Sequence, residues 1–400
     1  MLLTMKEEKR IFVIQKIIDG QLEVQEGATV LERSQRQIWR LLAKMRHHGI
    51  RGVVHGNKGK VSPRKIADEL KNKIIKLVRK KYGGINDRHL QEILERQEKI
   101  TIGRENLRKI LRAAAIAPKR NRRGVKYRKK RERKATFGMM LQIDGSTHDW
   151  LEDRGPRLTL IGAIDDATGK VWARFEQYET TWGYLELLRE IILKEGIPLS
   201  LYSDRHMIFF SPREATLEEQ LKNKKPMTQF GQAMDALNIK LIPAYSAPAK
   251  GRIERLWATL QDRLVVELRL RKVSTQFQAN AVLGELLDAH NQRFMVAAKE
   301  ACSTFRTPLP QAALDRILCL KQTRVVAKDH TVSFEGLILQ IPACNRFRSL
   351  VKRTVEVLQL RDGSIEIRFQ NYIVATFSPQ TVTRLTNQHI FGASNLKKAA

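Results

Sequence analysis

The sequence predicts a multidomain protein built from three architectures in series: an all-α front, a mixed α/β middle and a small β-barrel at the end. Three observations point there. Apolar residues recur at helical spacing as far as about residue 115, strand-like runs begin at 137, and five short strand-like runs crowd the stretch after 320. The charge breaks at the same places. Of a net +31, residues 1–137 carry +24, residues 138–272 carry zero and residues 273–400 carry +7. The length, 400 residues, suits two to four domains of about 100–150 residues each. With 42% hydrophobic residues a core can form, which excludes wholesale disorder. No run approaches the roughly 18–20 apolar residues of a membrane span, and no signal peptide is expected. Cys302, Cys319 and Cys344 are far apart, which supports neither a disulfide framework nor a Cys/His zinc site. A reducing cytoplasm is expected.

The front reads as two helical modules. In the first, residues 1–58, Ile11, Val13, Ile14, Ile17 and Ile18 share a helix face and Gly20 ends it. A short helix around 24–31 follows. Ser34 is the expected N-cap of a third helix, with Gln37 as its capping-box partner. That helix, Gln35–His48, puts Ile38, Leu41, Leu42 and Met45 on one side and leaves Gln35, Arg36, Arg40 and Lys44 elsewhere on its surface. Two short helices and then one with Gln and Arg near its start is the pattern of a helix-turn-helix, whose second helix enters the major groove. The second module, residues 59–117, repeats the theme. Ser62-Pro63 starts a helix through Ile66, Leu70, Ile74, Ile75 and Val78, Asn86 caps a shorter one, and a third runs from Arg104 to Ala115.

Residues 118–136 are a basic linker. Eleven of the sixteen residues 119–134 are Lys or Arg, and no apolar period survives there. Lys119, Arg120, Arg122, Arg123, Lys126, Arg128, Lys129, Lys130 and Arg131 are expected to track a phosphate backbone, where each neutralised phosphate releases counterions.

The middle, residues 137–272, alternates. MMLQID, RLTLIGAID and KVWARFEQY are three strands, with Asp166 to Gly169 as the turn between the second and third. A helix covers Thr181–Glu195, and LSLYSD at 199–204 is a fourth strand. A polar stretch at 211–228, a helix at 230–237, a strand at 239–242 and a long helix from about 248 to 271 complete it. Such an order makes a mixed α/β layer led by a hairpin. Asp144 and Asp204 close the first and fourth strands, and Glu254 stands near the start of the long helix. Strand ends near a change of connectivity are where such sheets build sites. Three converging acids need a cation between them. Oxygen ligands alone favour Mg²⁺, with Mn²⁺ as a substitute. Two such ions about 3.5–4 Å apart can hold attacking and leaving oxygens in line at phosphorus.

Taken together, LQIDGS at 141–146, LYSDRH at 201–206 and IPAYSAPAKGRIERLW at 242–257 resemble the DDE transposases and integrases of the retroviral-integrase superfamily, above all bacterial insertion-sequence transposases. Tyr245, Ser246, Pro248, Gly251, Glu254 and Arg255 supply most of that family's Tyr-Ser-Pro-x-x-Gly-x-x-Glu-Arg block, with Ala247 inserted before the proline. The resemblance implies an RNase H-like core at 137–272 with Asp144, Asp204 and Glu254 as catalytic and metal-holding triad. It implies an enzyme that binds the ends of a mobile element, cuts a phosphodiester and joins the freed 3′-OH to target DNA. Its partners would be double-stranded DNA and at least one further copy of the chain, with no membrane. Two alternatives stand beside it: an inactive helix-turn-helix DNA-binding regulator, and an RNase H-like nuclease without strand transfer.

The chain departs from the family pattern in three places. Arg205-His206 follow the second acid in place of Asn-Gly, Asp204 and Glu254 are 50 positions apart, and no His/Cys zinc module precedes the core. Among the neighbours, Lys250 lies four residues before Glu254 and so shares its helix face, as a phosphate contact or an ion-pair partner. Arg252 and Arg255 read as backbone contacts or solvated residues, Asp165 and Asp166 as turn formers, and Trp182 and Trp257 as core. His206 is a candidate proton carrier.

Residues 273–322 read as a helical connector. Residues 323–385 hold five strand-like runs with a hairpin turn at 361–364, which suggests the barrel. Residues 386–400 read as a frayed tail.

Overall fold

The computed structural model describes residues 3–54, 58, 65–119, 132–216, 220–221, 226–244, 250–343 and 345–382. The chain divides into two compact units, Met1–Gly83 with Glu105–Ala117, and Gly84–Arg104 with Pro118–Ala400.

The first unit is helical. Helices α1 (Met5–Ile18), α2 (Val24–Val30), α3 (Gln35–His48) and α4 (Ile50–Val53) enclose Ile14, Ala28, Ile38, Leu42, Met45 and Val53. These are the apolar positions whose spacing predicted the helices. Thr4 and Glu7 close a capping box at α1, and the Ser34 hydroxyl accepts the Gln37 backbone N–H at the start of α3. Gly49, at φ +59°, ends α3. The next helix, α5, is Asp68–Lys80. The expected start at Ser62-Pro63 lies outside the described residues. Asp68 and Glu69 sit in its first turn and Arg79 and Lys80 in its last, matching the helix dipole at both ends. Most of α7 (Arg104–Ala113), with buried Leu107, Ile110 and Leu111, belongs to this unit too.

The second unit is centred on a five-stranded sheet in the order β3-β2-β1-β4-β5. Strands β1 (Leu141–His148), β2 (Leu158–Asp165) and β3 (Val171–Glu176) form an antiparallel meander, and β4 (Ser200–Ser203) and β5 (Lys240–Pro243) run parallel to β1. That is the arrangement expected of an RNase H-like core. One face is covered by α8 (Thr181–Glu195) and α9 (Gln229–Ala236), which bury Tyr184, Leu188, Ile191, Phe230 and Met234 with Leu141, Ile143, Ile161 and Leu201. The opposite face carries α10 (Gly251–Leu270) and α11 (Gln276–Phe294), which bury Ile253, Trp257, Leu260 and Leu283 with Leu158, Leu160 and Phe175. Alternation along β1 and β2 sorts these residues between the two faces.

The outer edge of β3 has polar partners supplied by α11. The Asn280 side-chain amide accepts the Phe175 N–H (2.8 Å) and donates to the Phe175 carbonyl (2.9 Å), and Asn291 does the same to Val171 (2.8 and 2.9 Å).

At the β2–β3 turn two buried acids organise their surroundings. Asp165 accepts the Gly138 N–H and the Thr168 N–H and hydroxyl. Burial pushes its carboxyl up from the ordinary value against those bonds. Asp166 accepts the Lys134 N–H and the Gln142 amide, and forms a 2.8 Å ion pair with Arg252. Both acids are structural, as the turn reading has it. Arg252 differs from the expectation: it is an internal tie between α10 and the turn, because a fully buried carboxylate requires a cation.

Three further readings are corrected. Asp144 does not end β1, because pairing with β2 continues through His148. The connector 273–322 is helical only in α11 and in α12 (Gln311–Ile317). Between them the chain is largely extended and runs along the core, bridging Ser303 to Phe137 and Arg306 to Ile197. Gly138 makes room there, since a Cβ would lie 2.4 Å from the Phe305 ring. Lastly, the tail shows no closed barrel among the described residues. Strands β6 (Leu320–Val325), β9 (Thr354–Gln359), β10 (Ile365–Phe369) and β11 (Tyr372–Phe377) form an open antiparallel sheet in the order β11-β10-β9-β6. Strands β7 (Thr331–Phe334) and β8 (Leu337–Gln340) pair only with each other, and pack Val332, Phe334, Leu337 and Leu339 against Val355, Val357 and Ile367. The first of the five expected runs breaks at the turn 327–330, where His330 has φ +62°. The chain leaves the sheet there and returns as a hairpin laid over it.

Helix α6 (Asp87–Glu98) belongs to this unit and meets α10 through a buried acid. Glu267 is bonded by the His89 ring (3.0 Å), Arg96 (2.8 and 2.9 Å) and Arg271 (2.7 Å). Burial alone would raise its carboxyl, but the bonds from His89 and Arg96 outweigh it and hold it at about 2. A folded value below the unfolded one contributes stability that is complete above the unfolded value near 4.5 and lost as pH falls toward 2. We expect Glu267→Gln to cost on the order of 2–3 kcal/mol at about pH 6 and much less near pH 3. Denaturant unfolding of both proteins at the two pH values checks this; an equal cost at both would contradict it.

Candidate active site

The sheet register sets the geometry. Parallel pairing of Leu141 with Leu201 and Gln142 with Tyr202, continued two residues, brings Asp144 level with Asp204. The two chains part beyond Gln142, so both side chains stand at the mouth of a split between neighbouring strands. Both lie on the α10 face, since Asp144 shares the side of β1 that holds Gln142 and Ser146.

Helix α10 presents one stripe to this mouth. Lys250, Glu254, Trp257 and Gln261 recur at intervals of four, three and four residues. The Lys250 ammonium lies 2.7 Å from Asp144 Oδ1 and 3.3 Å from Asp204 Oδ2. The Trp257 indole N–H donates to Asp144 Oδ2 at 2.9 Å, and the Gln261 amide donates to Ser146 at 3.1 Å. Trp257 reaches Asp144 by crossing Gly162, the residue opposite Asp144 on β2; a Cβ at Gly162 would lie 2.7 Å from the indole. Trp257 is therefore core, as its spacing suggests, and also a direct support of the first acid. The sequence signal that could have revealed this is Gly162, a gap in an otherwise bulky strand.

Asp204 is about half exposed. Its Oδ1 accepts the His206 N–H at 3.0 Å, and the His206 ring Nδ1 accepts the Ile208 N–H at 3.3 Å. That bond engages one ring nitrogen within the turn, so the expected role of His206 as proton carrier would fall to Nε2. Glu254 is exposed in the first turn of α10 and, among the described residues, makes no hydrogen bond to either aspartate. The structure thus brings together Asp144, Asp204 and Lys250, with Glu254 on the stripe beside them. Among the described residues no three Asp, Glu, His or Cys side chains are close enough to hold a metal ion.

A fourth acid was not legible beforehand. Glu179, just before α8, accepts the buried Tyr184 hydroxyl at 2.5 Å, and its carboxylate lies against Gly145, where a Cβ would be 2.8 Å from Glu179 Cδ. Burial, followed by the charges of Glu179, Asp144 and Asp204, pushes the Tyr184 phenol far above its ordinary range. Tyr184 therefore stands on the α8 side within the field of all three carboxylates.

The other candidates scatter. Gln35, Arg36, Arg40 and Lys44 are all exposed on α3, with Trp39 exposed among them. Lys119 is paired with Asp262 at 2.9 Å. Arg120, Arg122, Arg123, Lys126, Arg128, Lys129, Lys130 and Arg131 lie outside the described residues, as do Tyr245, Ser246, Ala247 and Pro248 of the motif and the tail 386–400. Arg255 donates to the Gly251 carbonyl on its own helix, and no helix among the described residues is long and apolar enough to cross a membrane.

Comparison with known proteins gives two relatives along nearly the whole chain. The assigned transposase y4bF of Sinorhizobium fredii is 34% identical over 370 residues, 92% of this chain and 79% of the relative. The transposase for insertion sequence IS1202 of Streptococcus pneumoniae is 30% identical over 414 residues, 93% of this chain and 86% of the relative. No protein-family model matches. Similar solved structures include the catalytic core domain of HTLV-2 integrase in complex with magnesium, 17% identical with a TM-score of 0.31, covering 42% of this chain and 94% of that one. Another is a chain of the simian T-cell lymphotropic virus intasome in complex with a PP2A regulatory subunit, 14% identical with a TM-score of 0.34, covering 76% of this chain and 99% of that one. At such TM-scores the sheet order, and not the likeness, identifies the core.

The contact across Gly162 yields a test. Gly162→Ala forces a methyl into the Trp257 ring and should cost about 1–3 kcal/mol, the usual penalty for overpacking. In a Trp257→Phe background the smaller ring leaves space, so most of that cost should vanish. Thermal unfolding of the four proteins in this double-mutant cycle reads the coupling directly.

Proposed function

Because the chain belongs to the insertion-sequence transposases, we propose that it binds the ends of a mobile element, hydrolyses a phosphodiester to free a 3′-OH and joins that hydroxyl to target DNA. The observation that supports this most directly is the pair Asp144 and Asp204. They face one cation, on the helix stripe that also bears Glu254. A half-buried site that already holds two carboxylates around an ammonium is one suited to positive charge, and its oxygen-only donors fit a hard divalent ion.

In this reading Asp144, Asp204 and Glu254 hold Mg²⁺, in two ions, with Mn²⁺ able to substitute. When bound, the metal supplies charge neutralisation at the phosphate and activation of the attacking oxygen. The chain's own part is positional. Trp257 fixes one oxygen of Asp144, the His206 backbone fixes one oxygen of Asp204, and Arg252 ties the first turn of α10 to Asp166. Glu254, one turn beyond Lys250, is free to turn toward the aspartates.

The exposed face of α3 with Gln35, Arg36, Arg40 and Lys44 reads the element ends as a helix-turn-helix recognition helix. The basic run 119–134 follows the DNA backbone. Two ends must meet for joining, so the working form has at least two copies.

Asp204→Asn tests the triad. It should retain binding to element-end DNA within about threefold, because the recognition helix is untouched, and lose cleavage and joining in Mg²⁺ by about a thousandfold or more. Gel-shift and strand-transfer assays on one substrate measure both. Full activity in this variant would overturn the assignment, and hydrolysis without joined products in the native protein would favour a nuclease.

A further inference from the structure

We propose that Lys250 is an internal counter-ion that keeps the metal site assembled before metal binds and must leave when metal arrives. Loading the cation and freeing Lys250 for a DNA phosphate are then a single exchange. The inference rests on the reading that Asp144 and Asp204 hold a divalent cation, and it goes beyond that reading by assigning what occupies their shared space beforehand.

Three observations carry it. The ammonium is 2.7 Å from one aspartate oxygen and 3.3 Å from an oxygen of the other, so it bridges both acids. Lys250 is 8% exposed, which is unusual for lysine, and its charge is met by these two groups. It also stands at the N-cap of α10, where the helix dipole disfavours a cation. Local helix chemistry therefore argues against lysine at this position, and the two carboxylates supply the compensation. Without it they would repel one another across a half-buried gap.

The same geometry makes co-occupancy unfavourable. Asp144 Oδ2 already accepts the Trp257 N–H, which leaves Oδ1, the partner of the ammonium, as its less engaged oxygen. A divalent ion held by the same oxygen would put two positive charges about 4 Å apart in a half-buried site, a repulsion that only the departure of one of them relieves. The lysine must swing out. It leaves as a mobile cation at the rim of the site, where an anionic phosphate is the group that can receive it.

The test is direct Mn²⁺ binding to the full chain without DNA, followed by electron paramagnetic resonance and calorimetry. Lys250→Met removes the competing charge and should bind Mn²⁺ about tenfold or more tighter than the native protein. Lys250→Gln, which keeps the chain polar at that position, should shift in the same direction and covers the case in which the Met variant folds poorly. The metal-free variants should melt at lower temperature than the native protein and regain the difference on adding Mn²⁺. Equal Mn²⁺ affinity in the native and both Lys250 variants would overturn the proposal while leaving the metal site standing. If Asp144→Asn binds Mn²⁺ as the native chain does, or no form binds it, the metal assignment fails and the exchange fails with it.

Discussion

Two ionised carboxylates on adjacent strands, partly withdrawn from water, repel each other strongly unless a cation lies between them. The second unit is arranged around that constraint. The register of β1 and β4 makes Asp144 and Asp204 neighbours, and the stripe along α10 makes Lys250 their common partner. The first turn of α10, where the stripe begins, is tied down by Arg252, which reaches the buried Asp166. Asp166 in turn holds Gln142 on β1 and the backbone at Lys134. A chain of charge-assisted contacts thus runs from the entry of the core domain, through the β2–β3 turn, to the mouth of the site.

Much of this was legible in the sequence where a period or a cap decided the outcome. Ser34 predicted the start of α3, Asn86 that of α6, and the alternating or continuous apolar runs predicted all five core strands. Asp144, Asp204 and Glu254 were singled out from local motifs, and the fold puts the first two side by side. What was not legible depends on pairing partners far away in the sequence. Five strand-like runs at the end suggested a barrel, but closure requires the outer strands to meet, and β6 and β11 each have one ladder neighbour. The expected end of β1 is Asp144 because the apolar run stops there. Its pairing with β2 carries it four residues further.

The support residues escaped for a different reason. Trp257 at helical spacing reads as ordinary core, and only the three-dimensional crossing of Gly162 shows its N–H aimed at Asp144. Glu179 precedes a helix, a common place for an acid, so nothing local marks it; the cue is the glycine at 145, which leaves room for its carboxylate. In both cases an absent side chain on one strand carries the information about a present one elsewhere.

The two asparagine amides on α11 have a consequence for assembly. A bare strand edge is a template onto which another chain can add, and the backbone groups of Val171 and Phe175 would otherwise offer such an edge. Because Asn280 and Asn291 already occupy them from within the same chain, addition of a second copy's strand at β3 is disfavoured. Contacts between copies are thereby steered away from that border. The core sheet stays five strands wide, and copies brought close together carry less risk of fusing strand to strand at β3.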